Sequence, residues 1–583
     1  MSRNAELARV FAEIADILDL TGANAFKVNA NRKVARAIED AGEDVAHLAT
    51  ADPARLRAIP GLGESSAHKI EEWVRSGRVQ EHQDLLASVP AGVPAMLQVP
   101  GLGPKRVRTL WKDGGVESVE ELRRRIADGS LPQMPGIGAK TLKGIDDALR
   151  FLELSRGRVR LSEAMPVAEA LVAMLKQVPG VRRAAFAGSL RRGRETIGDV
   201  DLVASGVDHA PVHQALRDWP EVAQVIASGD TKTSVRTRHG IQVDLRTVDD
   251  DRFGAALLYF TGSKEHNVRL RERAQRMGLR LNEYGLFPDG AAGDAPPQER
   301  GVPPVASREE EDIYRALGLE WLPPELREDH ELGEHAPAGL VSVADIRAEL
   351  HCHTVASDGA LGIRDMALEA LRRGFHTIAI TDHSRSQVQA NGLDEARLRR
   401  HIAAVRDVAR ELDGRIAVLA GSEVDILADG SLDYPDELLA ELDWVVASPH
   451  SALRAEPDAA TARLIAAIRH PMVHVIGHPT GRIINAREGL SPDIATVARE
   501  AAAHGVALEV NANGARLDLR DSHVRLCIEA GCVVSINTDA HSAEDFDQLR
   551  YGVITARRGG LAAERCVNAW TAARLHEWRR ARR

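Results

Sequence analysis

Two hydrophobic rhythms divide the chain. Through about the first 155 residues apolar positions recur at helical spacing, as in MSRNAELARVFAEIADILDL, and short glycine-containing turns interrupt the helices. From about Ser162 to Val248 runs such as DVDLVAS and IQVDLRTV predict strands, with a helix over Pro166–Gln177. Residues 253–319 mix both patterns, and FPDGAAGDAPPQERGVPP (287–304) predicts a loop. After Asp345 short apolar runs alternate with Ala/Arg/Glu-rich helical segments: TIAITDH, AVLAGSEVD, DWVVASPH, VHVIGHP, ALEVNAN and VVSINTDAH. That βα alternation predicts a parallel sheet or barrel.

Three turns repeat one design: IPGLGESSAHKI (59–70), VPGLGPKRVRTL (99–110) and MPGIGAKTLKGI (134–145). Each runs apolar residue, Pro-Gly-apolar-Gly, then a polar helix start. Two glycines opening a helix leave backbone N–H groups aimed outward, where a phosphate oxygen can accept them.

Composition narrows the setting. A length of 583 residues suggests about three to five domains, and 44% hydrophobic residues suffice for large cores. The formal net charge of −10 excludes a uniformly basic nucleic-acid coat. It averages over domains, however. Between Pro90 and Arg160 thirteen Lys/Arg stand against eight Asp/Glu, a local balance of +5. The four cysteines, Cys352, Cys527, Cys532 and Cys566, form no CxxC pair and fit a reducing, cytoplasmic setting, with all four expected in the core. The N-terminus reads as an amphipathic helix rather than a signal peptide, and no apolar stretch is long enough to predict a membrane span.

The densest chemistry lies in GSLRRGRETIGDVD (188–201). Asp199 and Asp201 alternate on a predicted strand, so both side chains share one face. Carboxylates so placed repel unless a cation sits between them, and a pair of Mg²⁺ ions uses such an arrangement for in-line displacement. Asp244, in IQVDLRTV, is the candidate third carboxylate. The arginines and Ser189 then face a triphosphate rather than the aspartates, and glycines let backbone N–H groups approach it.

GS-x-RRG-x-ET-x-GD-x-D resembles the nucleotidyltransferase signature of family X DNA polymerases, and the repeated turns resemble helix-hairpin-helix motifs, which grip a DNA backbone. The resemblance implies Gly61, Gly63, Gly101, Gly103, Lys105, Gly136, Gly138 and Lys140 as DNA contacts. AFKVNANRKVARAI (25–38) is similar to the small amino-terminal domain of the beta-type enzymes, with Lys27, Arg32 and Lys33 toward a 5′-phosphate. Lys69 stands at that family's Schiff-base position, although Ser65 and Asn31 replace its supporting lysine and tyrosine. The resemblance gives Asp199, Asp201 and Asp244 the roles of catalytic metal ligands for two Mg²⁺ or Mn²⁺ ions. It gives Gly188, Ser189, Arg192 and Gly198 to the nucleotide's phosphates. YFTGSKEHNVRLR (259–271) matches the nucleotide-selection segment: Tyr259 and Phe260 at the sugar, Gly262 beside the nucleotide, Asn267 at the base and Arg271 at the template. Gln242 stands where animal members have an arginine, and Lys264 replaces an acid.

In the last third, polar residues follow the apolar runs: His351, His353, Asp358, His383, Glu423, His450, His478, Asp539 and His541. Residues at the carboxyl ends of parallel strands share one rim. Nine such ligands exceed one ion's capacity, and their mix suits two or three Zn²⁺, Mn²⁺ or Fe ions. The pattern resembles the PHP family of phosphoesterases, a seven-stranded distorted barrel. Arg482, Asn511 and Asn513 are further candidates for that rim, Arg482 as a phosphate contact.

The expected fold is therefore multidomain: a helical DNA-binding domain over 1–85, a second with two further hairpin motifs over 86–160, an α+β palm over 161–250, and a small α/β thumb over 251–325. A linker over 326–345 and an α/β PHP barrel over 346–583 follow. The order resembles a bacterial or archaeal family X DNA polymerase with a carboxy-terminal PHP domain. It implies gap filling in base excision or end-joining repair, with a 3′–5′ exonuclease that extends to abasic sites or 3′-phosphates. The implied partners are gapped or nicked DNA and dNTPs, with no membrane, for a monomer in the cytoplasm at the nucleoid. Two rival readings stand beside it: a small-molecule phosphoesterase tethered to DNA, and a non-catalytic DNA-end scaffold.

Overall fold

A computed structural model describes residues 3–39, 45–59, 61–97, 99, 102–131, 134, 137–138, 141–146, 149, 157–289, 297–328 and 336–582. The expectations placed on Gly101, Gly136 and Lys140 lie outside these residues. The chain divides into two compact units, Met1–Arg156 and Gly157–Arg583.

The first unit is helical. The amphipathic start forms the helix Arg3–Thr21, whose apolar face (Leu7, Phe11, Ile14) is fully buried. The described residues of the three repeated turns fold alike. In each, the apolar residue between the glycines donates its N–H to the carbonyl preceding the proline: Leu62 to Ile59 (3.0 Å), Leu102 to Val99 (2.9 Å) and Ile137 to Met134 (3.1 Å). In each, the second glycine's carbonyl opens the helix: Ala67 donates to Gly63, Val107 to Gly103 and Leu142 to Gly138. Gly61 needs its glycine, at φ +95° and with the Ala37 methyl 3.0 Å from where a Cβ would sit.

The second unit opens with a five-stranded sheet in the order Val181–Phe186, Asp199–Gly206, Gln242–Val248, Lys232–Thr237, Val222–Ser228. The Asp199 and Gln242 strands are parallel neighbours and the other pairs are antiparallel. Period-two alternation sorts their side chains. Val200, Leu202, Ala204, Val243 and Leu245 pack on the helix Leu161–Leu175, leaving Asp199, Asp201 and Asp244 on the opposite face. That helix begins five residues before Pro166. The Glu163 carboxylate accepts the Arg160 N–H (3.0 Å) and starts it, and the proline is absorbed inside.

Helices Phe253–Thr261, Lys264–Arg276 and Glu310–Ala316, with the hairpin Leu279–Pro288, form a small lobe with its own core. Its anchor is ionic. Glu310, 4% exposed, takes paired hydrogen bonds from Arg327 (2.7 and 3.1 Å) and from Arg191 of the palm (both 2.8 Å). Leu326 and Arg327, expected to open a linker, are thus buried inside the unit, and Val341 at its other end lies in the barrel core.

Seven parallel strands follow in sequential order: Ala348–Cys352, Thr377–Ile380, Ala417–Asp425, Trp444–Ser448, Val475–Ile476, Ala507–Asn511 and Val534–Asn537. The ends nearly close, where the His353 N–H donates to the Ala540 carbonyl (2.8 Å). Trp444, Trp570 and Leu575 fill the interior away from the rim, while an outer apolar layer joins strands to helices. All four cysteines are buried, and Cys352 packs in that outer layer, opposite the histidines on either side of it. Among the described residues no helix is long and apolar enough to cross a membrane.

Glu310→Leu should cost about 3–5 kcal/mol, because Arg327 would be left buried and unpaired. Burial pushes the Glu310 carboxyl up, but Arg327 and Arg191 outweigh it and hold the pKa at about 2. The tie is therefore complete above the ordinary carboxylate range and is lost only as pH falls toward about 2. Denaturant midpoints of the variant at neutral pH measure this, and an unchanged midpoint would contradict it.

Candidate active sites

The parallel register sets Asp201 directly beside Asp244, with Asp199 two residues earlier on the same face. One oxygen from each of the three carboxylates lies within 4.8 Å of the other two, close enough for one cation to meet all three. Burial, then the charges of Asp199 and Asp244, push the Asp201 carboxyl up to about 7. Asp244 is half-buried. Hydrogen bonds from Lys232, Ser234 and Gln242 outweigh that burial and hold its pKa below the ordinary value. Lys232, on the adjoining strand, reaches an Asp244 oxygen at 2.9 Å, and Gln242 donates to the other at 3.2 Å. Sequence reasoning missed Lys232, because the strand pairing that brings it there leaves no local signal.

Gly188 has φ +60°, and a Cβ there would stand 2.1 Å from an Asp201 oxygen, so only glycine fits. Ser189 follows in the short helix Gly188–Arg191. The arginines of this run do not pair with its aspartates. Arg191 is bound to Glu310, Arg192 donates to Glu328 (3.0 Å) and to the Thr261 carbonyl, and Arg194 reaches Glu328 (3.3 Å). Gly198 abuts Arg158, whose guanidinium donates to the hydroxyl and the carbonyl of Thr196; this cation near Asp199 was also missed.

Tyr259 and Phe260 end the helix Phe253–Thr261 edge to face, centroids 5.2 Å apart, with the Arg246 guanidinium 4.5 Å over the Phe260 ring. Gly262 follows at φ +65°. Asn267 donates to the Tyr259 carbonyl (2.7 Å), and Arg271 to the Asn267 carbonyl (3.3 Å). Lys264 lies in the first turn of the next helix, which Ser263 caps.

In the first unit the candidate Schiff-base lysine and two of the expected phosphate contacts hold internal partners. Lys69 and Lys27 share Glu81 at 2.5 and 3.3 Å, and Arg32 meets Asp16 and Asp19. Lys33 is exposed. Asn31 is buried and donates to the Lys27 carbonyl. Gly63 and Gly103 cap helices, and Lys105 lies in the first turn of the second of these.

The barrel rim gathers the nine expected ligands. Three groups approach metal-binding distance: His353, Asp358, His383 and His541; His351, His353 and Asp539; His383, Glu423 and His450. His478 stands 2.9 Å from Glu423. Buried atoms converge here that face one another at 3.0–3.7 Å but make no well-aligned hydrogen bond: His351 Nε2, His353 Nε2, both Glu423 oxygens and Asp539 Oδ1. Polar atoms are not ordinarily buried unsatisfied, so this donor set of imidazoles and carboxylates fits cations. His478 and Asp539 hold left-handed backbone, φ 25° and 55°, which costs free energy in non-glycine residues and recurs at functional sites.

Protons can balance the same acids. Burial disfavours imidazolium, but Glu423 and Asp358 overcome it and raise His383 to about 10; Asp358 and Asp539 likewise raise His541 to about 9. His353 goes the other way, to about 4, through burial and its two imidazole neighbours.

A supporting layer aims the ligands. Glu509 accepts from His351 Nδ1 (2.8 Å), the His478 N–H (2.7 Å) and Asn537 (2.8 Å). With Nδ1 donating, His351 keeps its Nε2 lone pair for the cluster. Asp425 does the same for His450 at 2.6 Å. The signal that could have found both was an acid inside an apolar strand, ALEVNAN and AVLAGSEVD. Asn511 donates to Asp539 (3.0 Å), while Asn513 accepts the Ala515 N–H and so holds a turn. Arg482 is not a rim phosphate contact. It is 3% exposed, donates to the Leu517 carbonyl and pairs with Glu195 of the palm at 2.7 Å. Arg516 reaches the cluster instead, 3.9 Å from Asp539.

Glu509→Gln should weaken metal binding at the rim by about 10–100-fold, read by competition with a chelator. Metal loading should also release protons at pH 7.5, because His383 and His541 must deprotonate to become ligands, and affinity should fall with falling pH. Calorimetry in buffers of different ionisation enthalpy measures this; heats independent of buffer would contradict it.

Comparison with known proteins agrees with this division. Family models match as a helix-hairpin-helix domain over 2–79, a SAM-like helix-hairpin-helix tandem over 93–150, the DNA polymerase beta thumb over 256–328 and a PHP domain over 349–513. The chain is 28% identical to rat DNA polymerase lambda over 291 residues, 46% of this chain and 48% of that one. It is 30% identical to a probable phosphatase of Syntrophotalea carbinolica over 239 residues, 39% of this chain and 94% of that one. It is 36% identical over 570 residues to the DNA polymerase/3′-5′ exonuclease PolX of Bacillus subtilis, covering 97% of each. With likeness of that degree along nearly the whole of both, the chain belongs to the bacterial family X DNA polymerases that carry a carboxy-terminal PHP domain.

Proposed function

We infer that this chain extends a primer 3′ end against a template within short gaps of DNA, and that its barrel removes nucleotides from 3′ ends as a 3′–5′ exonuclease. The observation that carries the reading is that one compact unit holds two separate carboxylate-rich clusters, three aspartates on parallel strands and nine ligands on a barrel rim. The likeness to a protein named for both activities supports it.

In the palm, Asp199, Asp201 and Asp244 would hold two Mg²⁺ or Mn²⁺ ions; at the rim, the nine ligands would hold two to three Zn²⁺, Mn²⁺ or Fe ions. When bound, the metals supply Lewis acidity and neutralise charge on the reacting phosphates. The chain's own residues do the rest. Asp244 takes the proton of the primer 3′-hydroxyl at a carboxylate oxygen. The backbone at Gly188, Ser189 and Gly198 approaches the triphosphate, and Arg192 binds it by exchanging Glu328 for phosphate oxygens. Tyr259 and Phe260 line the sugar, Gly262 stands beside the nucleotide, Asn267 meets the base and Arg271 the template. The glycine turns with Lys105 and Lys140, together with Lys27, Arg32 and Lys33, track the DNA backbone. Lys69 would serve a lyase step only after leaving Glu81. At the rim, Arg516, 3.9 Å from Asp539, would bind the phosphate. The likeness to a probable phosphatase supports 3′-phosphate removal as a further barrel activity, and cutting at abasic sites is proposed for the same rim. The chain would work as a monomer at the nucleoid.

A labelled primer on one-nucleotide-gapped DNA, with Mg²⁺ or Mn²⁺ and with or without dNTPs, tests both halves. Asp199→Ala should reduce extension by at least about 10³-fold and leave degradation intact; His353→Ala should do the reverse. Extension that survives Asp199→Ala would remove the palm assignment, and degradation that survives His353→Ala would remove that of the rim.

A further inference from the structure

The turn between the Gly188 helix and Asp199 is held from outside the palm. Arg482, in the barrel's loop after Val475–Ile476, is buried and pairs through Nη1 with Glu195 Oε2 at 2.7 Å. Its Nη2 donates to the carbonyl of Leu517, a residue that packs in the palm's own apolar core. A second barrel arginine, Arg558, donates to the backbone carbonyl of Arg192 and pairs with Glu328 at 3.2 Å. Glu328 in turn accepts from the side chains of Arg192 and Arg194. Between these two grips sits Gly193, at φ +64°. A Cβ there would lie 2.1 Å from the Ile554 methyl, so the barrel helix Leu549–Arg558 rests directly on the backbone of the turn.

We infer that Arg482 and Arg558 of the barrel are positioning residues for the polymerase reaction, holding the palm's phosphate-facing turn in shape. This rests on the reading of that turn as the nucleotide's phosphate cradle. The physical reason is leverage. The grips fall on Arg192 and the residues just after it, so the backbone path they hold fixes where the Arg192 side chain points. A glycine-bearing turn has little stiffness of its own. Two buried guanidiniums and a close-packed helix supply it, and loosening either lets the Arg192 fork drift from the phosphates it would bind, which weakens dNTP binding and raises KM. The barrel is therefore a structural part of the polymerase centre, besides carrying a site of its own.

The full chain tests this by steady-state gap filling across a range of dNTP concentrations, alongside degradation of a single-stranded 3′ end. Glu195→Gln and Arg558→Met should each raise KM for dNTP by about tenfold with kcat changed by less than about threefold, and should leave degradation at the wild-type rate. Arg482→Lys, which keeps the charge, should stay within about threefold of the wild-type KM. A KM within twofold of wild type in both Glu195→Gln and Arg558→Met would overturn the inference. So would a fall in kcat with KM unchanged, or a parallel loss of both activities, since either marks general damage. If wild-type protein shows no extension that depends on Asp199, the functional reading fails; normal extension with unmoved KM removes this inference alone.

Discussion

Like charges are held together against their own repulsion at two places in this chain, and the fold around each place is what keeps them there. Two carboxylate oxygens at the spacing found in the palm repel by roughly 3–4 kcal/mol at an effective dielectric of about 20. The chain meets this with rigid backbone. Asp201 and Asp244 are fixed by a parallel strand register, and Asp539 and His478 by left-handed turns at the end of barrel strands. Cations would relieve the repulsion. Within the chain, Lys232 pairs with Asp244, and the rim carboxylates raise the basicity of His383 and His541.

The same logic of paired charge extends outward. Glu310 joins palm to thumb through Arg191 and Arg327, Glu328 gathers Arg192, Arg194 and Arg558, and Glu195 meets Arg482. The arginine-rich signature therefore has two uses. One is the contact with the acids that hold palm, thumb and barrel in one unit; the other is the phosphate binding proposed for Arg192. A buried ion pair contributes little net stability but penalises any arrangement that breaks it. That suits a joint which must keep one geometry.

Much of this was legible in local pattern. DVDLVAS and IQVDLRTV named the two strands and the face their aspartates share, because side chains alternate with a period of two. Three copies of one turn announced three equivalent folds, since Pro-Gly-x-Gly leaves few backbone choices. The candidate rim ligands were visible because each follows an apolar run, where a parallel strand ends. What the pattern hid was partnership. Arg482 in GHPTGR looked like an exposed phosphate contact, and the linker looked free, because neither sequence reveals that the palm lies against it. Lys232, Arg158 and Glu328 carried no motif at all.

The sequence by itself determined which groups could do chemistry and on which face each would stand. Residue type and local period are properties of neighbouring positions along the chain. Only the tertiary structure decided which charge answers which: Arg192 with Glu328, Arg482 with Glu195, Glu509 with His351. Those pairings join residues far apart in the chain. A charge buried by packing takes whichever partner the packing brings, and no local rule names that partner in advance.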